Sequence, residues 1–313
     1  MIFKKALLNF LFILFLSYLN TQYSTLNSQI IDNRLGNAFE DEMFFNQEFL
    51  WQNKIKTITG TVSIKRTGRP IDQRPDISVF RINEVGLLNQ IDKVTSVLHL
   101  MDSSSILFRR NDLGEVELRS EKGTKGYSTT QFNYDDEGHL VRIDYGKAEN
   151  ISAEKSKLEP GQSIIINSET FVWNEAGEGT LRRSNFNNYG LHYSNTTTTI
   201  NELQYVTREV EELLMSGRTT THTYTYNERG WISKIEATDN LHPITNGSPH
   251  SSKTFYYDDI GNLLKVEYRE GEKVLREVEV LYTGTMLIEA FLDLDAGTND
   301  ITITKFTYEF YTL

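Results

Sequence analysis

The sequence contains no cysteine among its 313 residues. This absence excludes disulfide bonds, thiol catalysis and thiolate metal sites. We also expect that the chain is not an ordinary bacterial lipoprotein, because the lipid of that class is attached to a cysteine. Stability must then come from packing alone. The 17 phenylalanines and 16 tyrosines suit this requirement, since each such side chain can bury roughly 150–250 Å².

The sequence has little in the way of long hydrophobic runs. Two lysines precede an apolar stretch from Ala6 to Leu19, which at about 14 residues is shorter than the ~20 that a bilayer span needs. This layout is typical of a secretory signal peptide. We therefore predict a signal peptide over residues 1–28, cleaved near Ser24 or Ser28, with an uncleaved anchor as the alternative. The mature protein is expected to be secreted or to lie in the periplasm or cell envelope, with no stable transmembrane segment.

Basic residues are in the minority. The chain carries 43 Asp and Glu against 32 Lys and Arg, a formal net charge of −11 at pH 7. Loss of the two lysines of the signal peptide would make the mature protein more acidic. Such a field repels nucleic acid and anionic membrane surfaces. The partners that we expect are therefore an unidentified protein or glycan at the cell envelope, and not nucleic acid.

Familiar catalytic motifs are absent too. The sequence contains no Gly-x-Ser-x-Gly, no His-Glu-x-x-His and no phosphate-binding glycine loop. The six histidines show no paired ligand spacing. His242 and His250 share a polar loop, but a zinc site there would need a third ligand. We expect a protein that is not an enzyme and that has no cofactor.

A repeat is the strongest feature that is present. Six segments share the pattern aromatic-x-x-[Asn/Asp]-x-x-Gly, and a weaker seventh copy has Gln204 in place of glycine. Asn or Asp opens a type I turn by accepting a backbone N–H two residues on, and Gly closes it at positive φ. Each copy is thus predicted to be a β-hairpin, and turn formation accounts for these Asn and Asp side chains without catalysis. The predicted turn residues are Asn83, Gly86, Asn111, Gly114, Asp135, Gly138, Asn174, Gly177, Asn227, Gly230, Asp258 and Gly261.

The repeat also predicts contacts across each hairpin. The residue four before Gly should face the aliphatic residue two after it. A second aliphatic residue follows five after Gly, and simple alternation would place it on the opposite face of the sheet. Both faces would then be partly apolar, which requires a sheet that curls on itself or is covered by a neighbour. The predicted pairs are Ile82/Leu88, Tyr134/Leu140, Tyr226/Ile232 and Tyr257/Leu263.

These patterns together predict an all-β fold, an antiparallel meander of stacked β-hairpin repeats that forms a curved, curled or partly closed sheet. The hairpin-repeat domain is expected over residues 78–313. Residues 29–77 would form an N-terminal cap, in which a capping box from Asn37 to Glu40 opens a short helix that reaches Trp51. Strands follow within this cap region.

A resemblance to a known family can be named on two copies. Tyr224-Thr-Tyr-Asn-Glu-Arg-Gly and Phe255-Tyr-Tyr-Asp-Asp-Ile-Gly-Asn-Leu resemble the YD repeats of the RHS family. The resemblance implies tyrosine-rich hairpins that spiral into β-shells or stack as elongated sheets. It identifies the chain as a short secreted bacterial member, since the toxin module of large RHS proteins is missing.

Two features point to binding sites. Asp293, Asp295, Asn299 and Asp300 suggest a calcium loop, although Thr304 stands where the bidentate glutamate would be needed. The competing interpretation is a hairpin turn between the strands expected at 286–292 and 301–310. Trp231 directly follows a repeat glycine, so it either points outward as a binding surface or packs against a neighbouring hairpin.

The function expected from the sequence is that of a non-catalytic extracytoplasmic protein. It would act as an interaction or envelope scaffold through an exposed aromatic and polar sheet surface. One alternative is a secreted enzyme that is calcium-assisted or acts on glycans. A further alternative, which rests on the family resemblance alone, is an accessory protein of an RHS-type competition system.

Overall fold

The computed structural model describes residues 29–40, 42, 44–97, 100–123, 126–152, 159–240 and 250–312. The predicted signal peptide therefore lies outside the described residues. Within the described ranges, no helix has both the length and the apolar character needed to cross a membrane.

One short helix and eighteen strands make up the described regular structure. The helix, α1, spans Gln47–Gln52 and stands before the first strand. The strands are β1 (Ile55–Lys65), β2 (Ile71–Ile82), β3 (Leu88–Val97), β4 (Leu100–Arg110), β5 (Val116–Gly123), β6 (Gly126–Tyr134), β7 (Leu140–Ala148), β8 (Ile164–Gly177), β9 (Thr180–Phe186), β10 (His192–Ile200), β11 (Val206–Leu213), β12 (Arg218–Tyr226), β13 (Ile232–Asp239), β14 (Ser251–Tyr257), β15 (Leu263–Glu270), β16 (Lys273–Tyr282), β17 (Ile288–Asp295) and β18 (Asp300–Phe310).

The strands form one closed antiparallel barrel. Each strand pairs with the next along the chain, and β1 pairs with both β2 and β18. The predicted all-β antiparallel meander is confirmed, but the sheet closes completely rather than in part. Closure leaves no edge strand along the length of the barrel. The predicted domain boundary before residue 78 falls inside β2. Strand β1, which the prediction assigned to the N-terminal cap, is part of the closed barrel.

Most of the predicted turns have the expected geometry. The Asn83 side-chain Oδ1 accepts the N–H groups of Val85 and Leu87 at 3.2 and 2.8 Å, and Gly86 lies at φ 82°. The turns at Asn111, Asp135, Asn227 and Asp258 repeat this pattern of bonds and a positive-φ glycine. The weak seventh copy is also a turn, in which Gln204 takes the left-handed position at φ 65°.

One predicted turn is wrong, and two turns of the same type as the repeat turn were missed. Asn174 pairs with Arg182 inside the β8–β9 ladder, and Gly177 pairs with Thr180, so the chain reverses at residues 178–179 instead. The missed turns begin at Asn187 and Thr283 and make the same backbone bonds as the others. The second of them escapes the pattern because Thr283 and Met286 replace Asn and Gly.

The predicted pairs across the hairpins are confirmed, but the two-faced apolar pattern is not. Ile82 pairs with Leu88, and a register shift directly before it brings Ile91 opposite Phe80. A β-bulge places two residues opposite one, so Leu88 and Ile91 lie on the same face, and both are buried. The prediction that the second aliphatic residue lies on the opposite face is therefore wrong. The other confirmed pairs are Tyr134/Leu140, Tyr226/Ile232 and Tyr257/Leu263.

Aromatic hydrogen bonds join six of the strands that precede a turn or end the barrel to the hairpin before them. The Tyr257 hydroxyl donates to the Ile232 carbonyl at 2.8 Å, and the Tyr282 hydroxyl donates to the Leu263 carbonyl at 2.9 Å. In each case the acceptor lies two residues beyond the positive-φ position of the preceding hairpin. Where the residue just before the turn is Tyr or Trp, its side chain thus serves for bonding as well as for burial. The same bond is made by Tyr134 to Val116, Tyr226 to Val206, Tyr308 to Ile288 and Trp173 to Leu140.

The described part of residues 29–54, hereafter the N-terminal segment, packs its buried side chains into the interior of the barrel. Phe45 packs on Phe80 of β2, Phe44 packs on Phe291 of β17, and Gly36 faces Ile235 of β13. A segment of this length can reach strands so far apart around a closed sheet only from the interior. Its buried residues join those of the strands in one core.

The helix within this segment differs from the predicted one. It begins at Gln47, because the Asn46 side chain accepts the N–H groups of Glu48 and Phe49 and so caps the free donors of the first turn. Asn37 therefore does not open it. Phe39, which was expected within the helix, lies at φ 68° in a turn.

Buried tyrosines should make the barrel sensitive to alkaline pH. Burial raises the pKa of Tyr257, Tyr224 and Tyr268 to about 12, from an ordinary value of 10.0. A raised folded-state pKa leaves stability intact below pH 10 and removes it as the pH rises from 10 towards 12. We expect the free energy of unfolding to fall through this window. The native protein should also develop phenolate absorbance at higher pH than the protein in urea, and coincident titration curves would contradict the expectation.

Candidate functional site

A pocket of about 500 Å³ lies at the end of the barrel that holds the turns after even-numbered strands, hereafter the hairpin end. Three separate parts of the chain form it: the end of α1, the β2–β3 turn and the end of β18. The lining residues are Trp51, Gln52, Lys54, Glu84, Tyr311 and Thr312.

The helix presents Trp51 to solvent. Phe49 and Leu50 are buried in the barrel core, so the following residue faces away from it, and Trp51 is 51% exposed. The helix ends at Gln52 with Asn53 as its C-cap, and Lys54 takes a left-handed conformation at φ 53°. This residue turns the chain from the helix into β1. Trp51 and Lys54 therefore both line the pocket.

A glycine allows the helix to approach the β2–β3 turn. A Cβ atom at Gly86 would lie 2.8 Å from Trp51 Cβ and would also collide with the Gln47 carbonyl oxygen. The Gln47 side chain donates to the Val85 carbonyl at 3.2 Å. The repeat glycine thus has a second role at this position, because it brings Glu84 of the turn next to Trp51.

Backbone and side-chain bonds hold Tyr311 in place. Its N–H donates to the Lys54 carbonyl at 2.8 Å, and its hydroxyl donates to the Ile82 carbonyl at 2.6 Å. Burial, and then the nearby Glu84 carboxylate, raise the pKa of this tyrosine, so it stays a neutral donor. The pocket combines aromatic faces with a cation, a carboxylate and an amide. These groups suit the binding of a polar ligand with flat apolar faces.

The predicted calcium residues lie at the other end of the barrel. Asp293, Asp295 and Asp300 line a pocket of about 370 Å³ beside Arg276. Both carboxylate oxygens of Asp293 accept bonds from the Arg276 guanidinium at 2.8 Å, and Asn299 is not among the lining residues. The neighbouring strands β17 and β18 meet through a turn at residues 296–299, as in the competing interpretation.

The other two carboxylates of this pocket also have partners. Asp295 accepts the N–H groups of Gly297 and Thr298 at 2.8 and 2.9 Å, and these bonds lower its pKa. Asp300 lies 3.3 Å from Arg66. Within the described part of the chain, no group of three or more His, Asp and Glu side chains is placed to hold a metal ion. Calcium binding here stays a prediction, which a calcium-dependent rise in melting temperature would support.

Trp231 packs against its neighbours instead of extending into solvent. Its ring lies 5.3 Å from that of Tyr257, and the Arg229 guanidinium covers it at 5.3 Å. The space above Gly261 is filled by the same indole. Of the two alternatives for Trp231, the structure therefore shows packing against a neighbouring hairpin. Trp51 of α1, in contrast, is half exposed.

The histidines do not form a site among the described residues. His139 stacks on Trp173 with ring centres 5.1 Å apart, and His192 stacks on Phe186 at 4.8 Å. His250 begins the stretch that leads into β14, whereas His242 lies outside the described residues. The loop that His242 and His250 share in the sequence therefore lies outside the described residues, apart from His250 itself.

The Trp51 pocket escaped the sequence analysis for a geometric reason. Trp51 was noted only as part of an expected helix, and Tyr311 directly follows the strand expected at 301–310. The two residues are 260 positions apart in number, and they meet because β1 pairs with β18. No local pattern carries that information.

No family model matches the chain, and no curated protein matches it in sequence. Solved structures show weak likeness. A porin-like protein from Bacteroides uniformis is 11% identical over 82% of this chain and 98% of its own, with a TM-score of 0.38. A LolA superfamily protein from Nitrosomonas europaea is 10% identical over 83% and 88%, with a TM-score of 0.17. A DUF1329 family protein from Desulfovibrio piger is 9% identical over 82% and 85%, with a TM-score of 0.13.

The structure of the sheet corrects the family resemblance drawn from the repeat. The hairpins close into an 18-stranded barrel rather than a spiral shell or an elongated stack, and no family model matches the chain. The assignment to the YD-repeat family is therefore wrong. The motif indicates a type of turn and not a family. An Asx turn followed by a glycine at positive φ can occur in any antiparallel meander.

Proposed function

We propose that this chain is a non-catalytic, extracytoplasmic binding protein whose ligand site is the Trp51 pocket. The ligand class that fits best is a glycan. The observation that carries the proposal is the exposed indole of Trp51, held in place by the Gly86 turn. A sugar ring can stack its apolar face on such an indole, while Gln52, Lys54 and Glu84 are placed to bond its hydroxyl groups.

The outer face of the barrel supports an aqueous setting for this site. Arg81 of β2 donates to Asp92 of β3 at 2.9 Å, and Lys265 of β15 lies 3.0 Å from Glu277 of β16. Both pairs lie on the face opposite the core residues of the same strands. A barrel that spans a membrane presents an apolar band to lipid. Charged pairs on this face favour a barrel surrounded by water.

The extracytoplasmic setting rests on the sequence. A lysine pair followed by a short apolar stretch is the pattern of an export signal, and the acidic, cysteine-free composition fits a protein that acts at the cell envelope. Fractionation of cells that express the full chain would test this part by itself. Recovery of the protein only in the cytoplasm would contradict export and leave the pocket to be tested separately.

The binding role predicts a specific loss in Trp51→Ala. A central aromatic contact contributes about 2 kcal/mol or more, so the dissociation constant of a glycan found on an array should rise roughly thirtyfold. The matched control is Tyr256→Ala, which removes another exposed aromatic ring from the outer face of β14. This variant should bind like the wild type. Both variants should keep the wild-type melting temperature, because neither ring is in the core.

Two results would overturn the proposal. One is an array on which the wild-type chain binds no glycan at millimolar affinity or better. The other is binding that Trp51→Ala leaves unchanged. A peptide array run in parallel distinguishes a different ligand class, because Trp51-dependent binding to peptides alone would show that the pocket is correct and the glycan assignment is not.

A further inference from the structure

The N-terminal segment covers only part of the inner wall of the barrel. Its ring contacts and ion pairs involve β2, β3, β5, β14 and β17. The strand residues of the core come from β1–β5 and β12–β18, and none of its described members lies in β6–β11. Barrels of about 16–18 strands have an interior wide enough for water. The inner face of β6–β11, hereafter the uncovered wall, can therefore border a ligand site.

The register of the strands identifies the side chains on the uncovered wall. Arg119 of β5 points inward, because it binds Glu42 of the N-terminal segment. It pairs with Thr130 of β6, which in turn pairs with Tyr145 of β7. Lys147 lies two residues further along the same face of β7, and it is exposed. The uncovered wall is thus open to solvent towards the end of the barrel opposite the hairpin end.

Arg183 of β9 is a cation on this wall whose contacts are to neutral groups. It pairs with Trp173, and its guanidinium lies 5.0 Å from the ring centre of Phe171 and 5.6 Å from that of Trp173. It donates to Asn185 Oδ1 at 3.0 Å and to Thr196 Oγ1 at 3.4 Å. Among the described residues, no carboxylate forms an ion pair with it. The guanidinium is therefore held in place, and its remaining N–H groups are available to a ligand.

Other cations that point into the barrel differ from Arg183 in this respect. The protein carries a net charge of −11, so carboxylates are plentiful. A fixed guanidinium without one favours a carboxylate that is supplied by a ligand, since the two groups match in shape and charge. The inward cations that do have a carboxylate within 3.1 Å include Lys93, Arg119, Arg218, Lys253 and Arg276.

Glu169 of β8 supplies the opposite charge on the same wall. It pairs with Ile143, which lies on the same face of β7 as Tyr145. The hydroxyls of Tyr145 and Tyr193 donate hydrogen bonds to the Glu169 carboxylate. Burial, and then the charge of this carboxylate, raise the pKa of both tyrosines, so they stay neutral donors. A carboxylate has about four acceptor positions, so Glu169 can accept further bonds.

The spacing of the two charges suits a ligand that bridges them. The Arg183 guanidinium lies over Phe171, which follows Glu169 by two residues, a distance of about 7 Å along a strand. A charge-assisted hydrogen bond is about 2.8 Å long. An α-amino acid carries its ammonium and carboxylate groups on one carbon, and it spans the distance that remains between two such bonds.

We propose that the uncovered wall binds a free α-amino acid, with its carboxylate on Arg183 and its ammonium group on Glu169. An anion without the ammonium group would be repelled by Glu169, and a cation without the carboxylate would be repelled by Arg183. Neighbouring side chains hold both charges in place before the ligand arrives, which lowers the entropic cost of binding. The site shares no residue with the Trp51 pocket and does not depend on it.

Calorimetric titration of the full chain with a panel of free amino acids tests the proposal. The best ligand is then compared with its amide, which lacks the carboxylate, and with its N-acetyl derivative, which lacks the ammonium group. Each derivative should bind about tenfold more weakly or worse, because it loses a bond between charged groups. A panel without any ligand of millimolar affinity overturns the proposal, and so does equal binding of the amino acid and both derivatives.

Two variants assign the carboxylate of the ligand to its partner. Arg183→Gln should weaken binding of the amino acid about tenfold or more but bind the amide like the wild type, because the amide has no carboxylate to lose. The matched control is Arg182→Gln, which removes an exposed cation from the outer face of the same strand and should leave binding unchanged. Wild-type affinity for the amino acid in Arg183→Gln contradicts the assignment.

The two proposed sites can fail independently. Trp51→Ala should leave amino-acid binding unchanged, and Arg183→Gln should leave glycan binding unchanged. The melting temperature of Arg183→Gln shows whether the variant folds. If it does not fold, the comparison of the amino acid with its amide on the wild-type chain still decides whether the site reads a carboxylate.

Discussion

Replacing Phe45 by alanine is expected to lower the free energy of unfolding by about 3–5 kcal/mol, the cost of removing a buried phenylalanine ring. Phe45 belongs to the N-terminal segment and not to the barrel wall. Its ring lies 4.4 Å from that of Phe44 and 5.1 Å, edge to face, from that of Phe80 in β2. The loss would combine apolar contacts with two aromatic pairs, and the closed wall leaves little room for collapse into the cavity.

The same variant tests whether the N-terminal segment is part of the folding unit. The Asp32 N–H bonds the Phe44 carbonyl at 2.7 Å, and the Asn46 N–H bonds the Ile30 carbonyl at 2.9 Å. The segment is therefore folded on itself as well as packed on the wall. Urea unfolding gives the free-energy change, and Phe310→Ala, which removes a half-exposed ring at the end of β18, is the control. It should cost less than about 1 kcal/mol.

Similar small losses in both variants would show that the barrel wall is stable without its contents. That outcome is not expected, because the polar contacts of the segment also join distant strands. Glu42 binds Lys93 of β3 at 3.0 Å and Arg119 of β5 at 3.1 Å. Without the segment, Lys93 would lose this carboxylate, and Arg119 would keep only its bond to Glu121 at 2.9 Å.

Gly261→Ala is expected to lower the free energy of unfolding by about 2–5 kcal/mol. Two costs add in this variant. A left-handed backbone at φ 94° destabilises alanine by roughly 1–2 kcal/mol. Its Cβ would also lie 2.6 Å from Trp231 Cη2 and would collide with the Gln29 side chain, and overpacking of this kind costs about 1–3 kcal/mol.

Gly114→Ala separates the two costs. This glycine occupies the same position in its turn at φ 85°, but no atom lies within 4 Å of the place that a Cβ would take. The control should therefore lose only the backbone contribution, about 1–2 kcal/mol. Thermal and urea unfolding of both variants give the difference. Equal losses would show that Trp231 is not packed over Gly261, and unchanged stability in both would contradict the turn geometry itself.

Turns and the residue pairs beside them could be predicted from the sequence, because residues that are close in the chain determine them. Asn83 and Gly86 form the predicted turn, because a side-chain oxygen reaches a backbone N–H two residues away without help from the rest of the fold. The pair Ile82/Leu88 follows from that turn. The prediction failed at Asn174, where the strand continues to Gly177 because pairing with β9 outweighs the turn preference.

Longer-range features were inferred less well. A bulge after each turn shifts the face of Ile91, Ile235 and Val266, so the two-faced sheet predicted from alternation does not exist. A register shift of one residue reverses the face of every later side chain. Bulges depend on the strand opposite, which a pattern along one strand does not contain.

The repeat of Asn or Asp, Gly and a preceding aromatic residue was sufficient to determine an antiparallel all-β chain of hairpins with named partners. Turn preferences and burial act over a few residues, so one sequence encodes them. Only the tertiary structure decided that β1 meets β18 to close the barrel, that residues 29–54 pack into its interior, and that Trp51, Glu84 and Tyr311 share a pocket. Those contacts depend on where distant strands end relative to one another, which is set by the registers of all eighteen strands together.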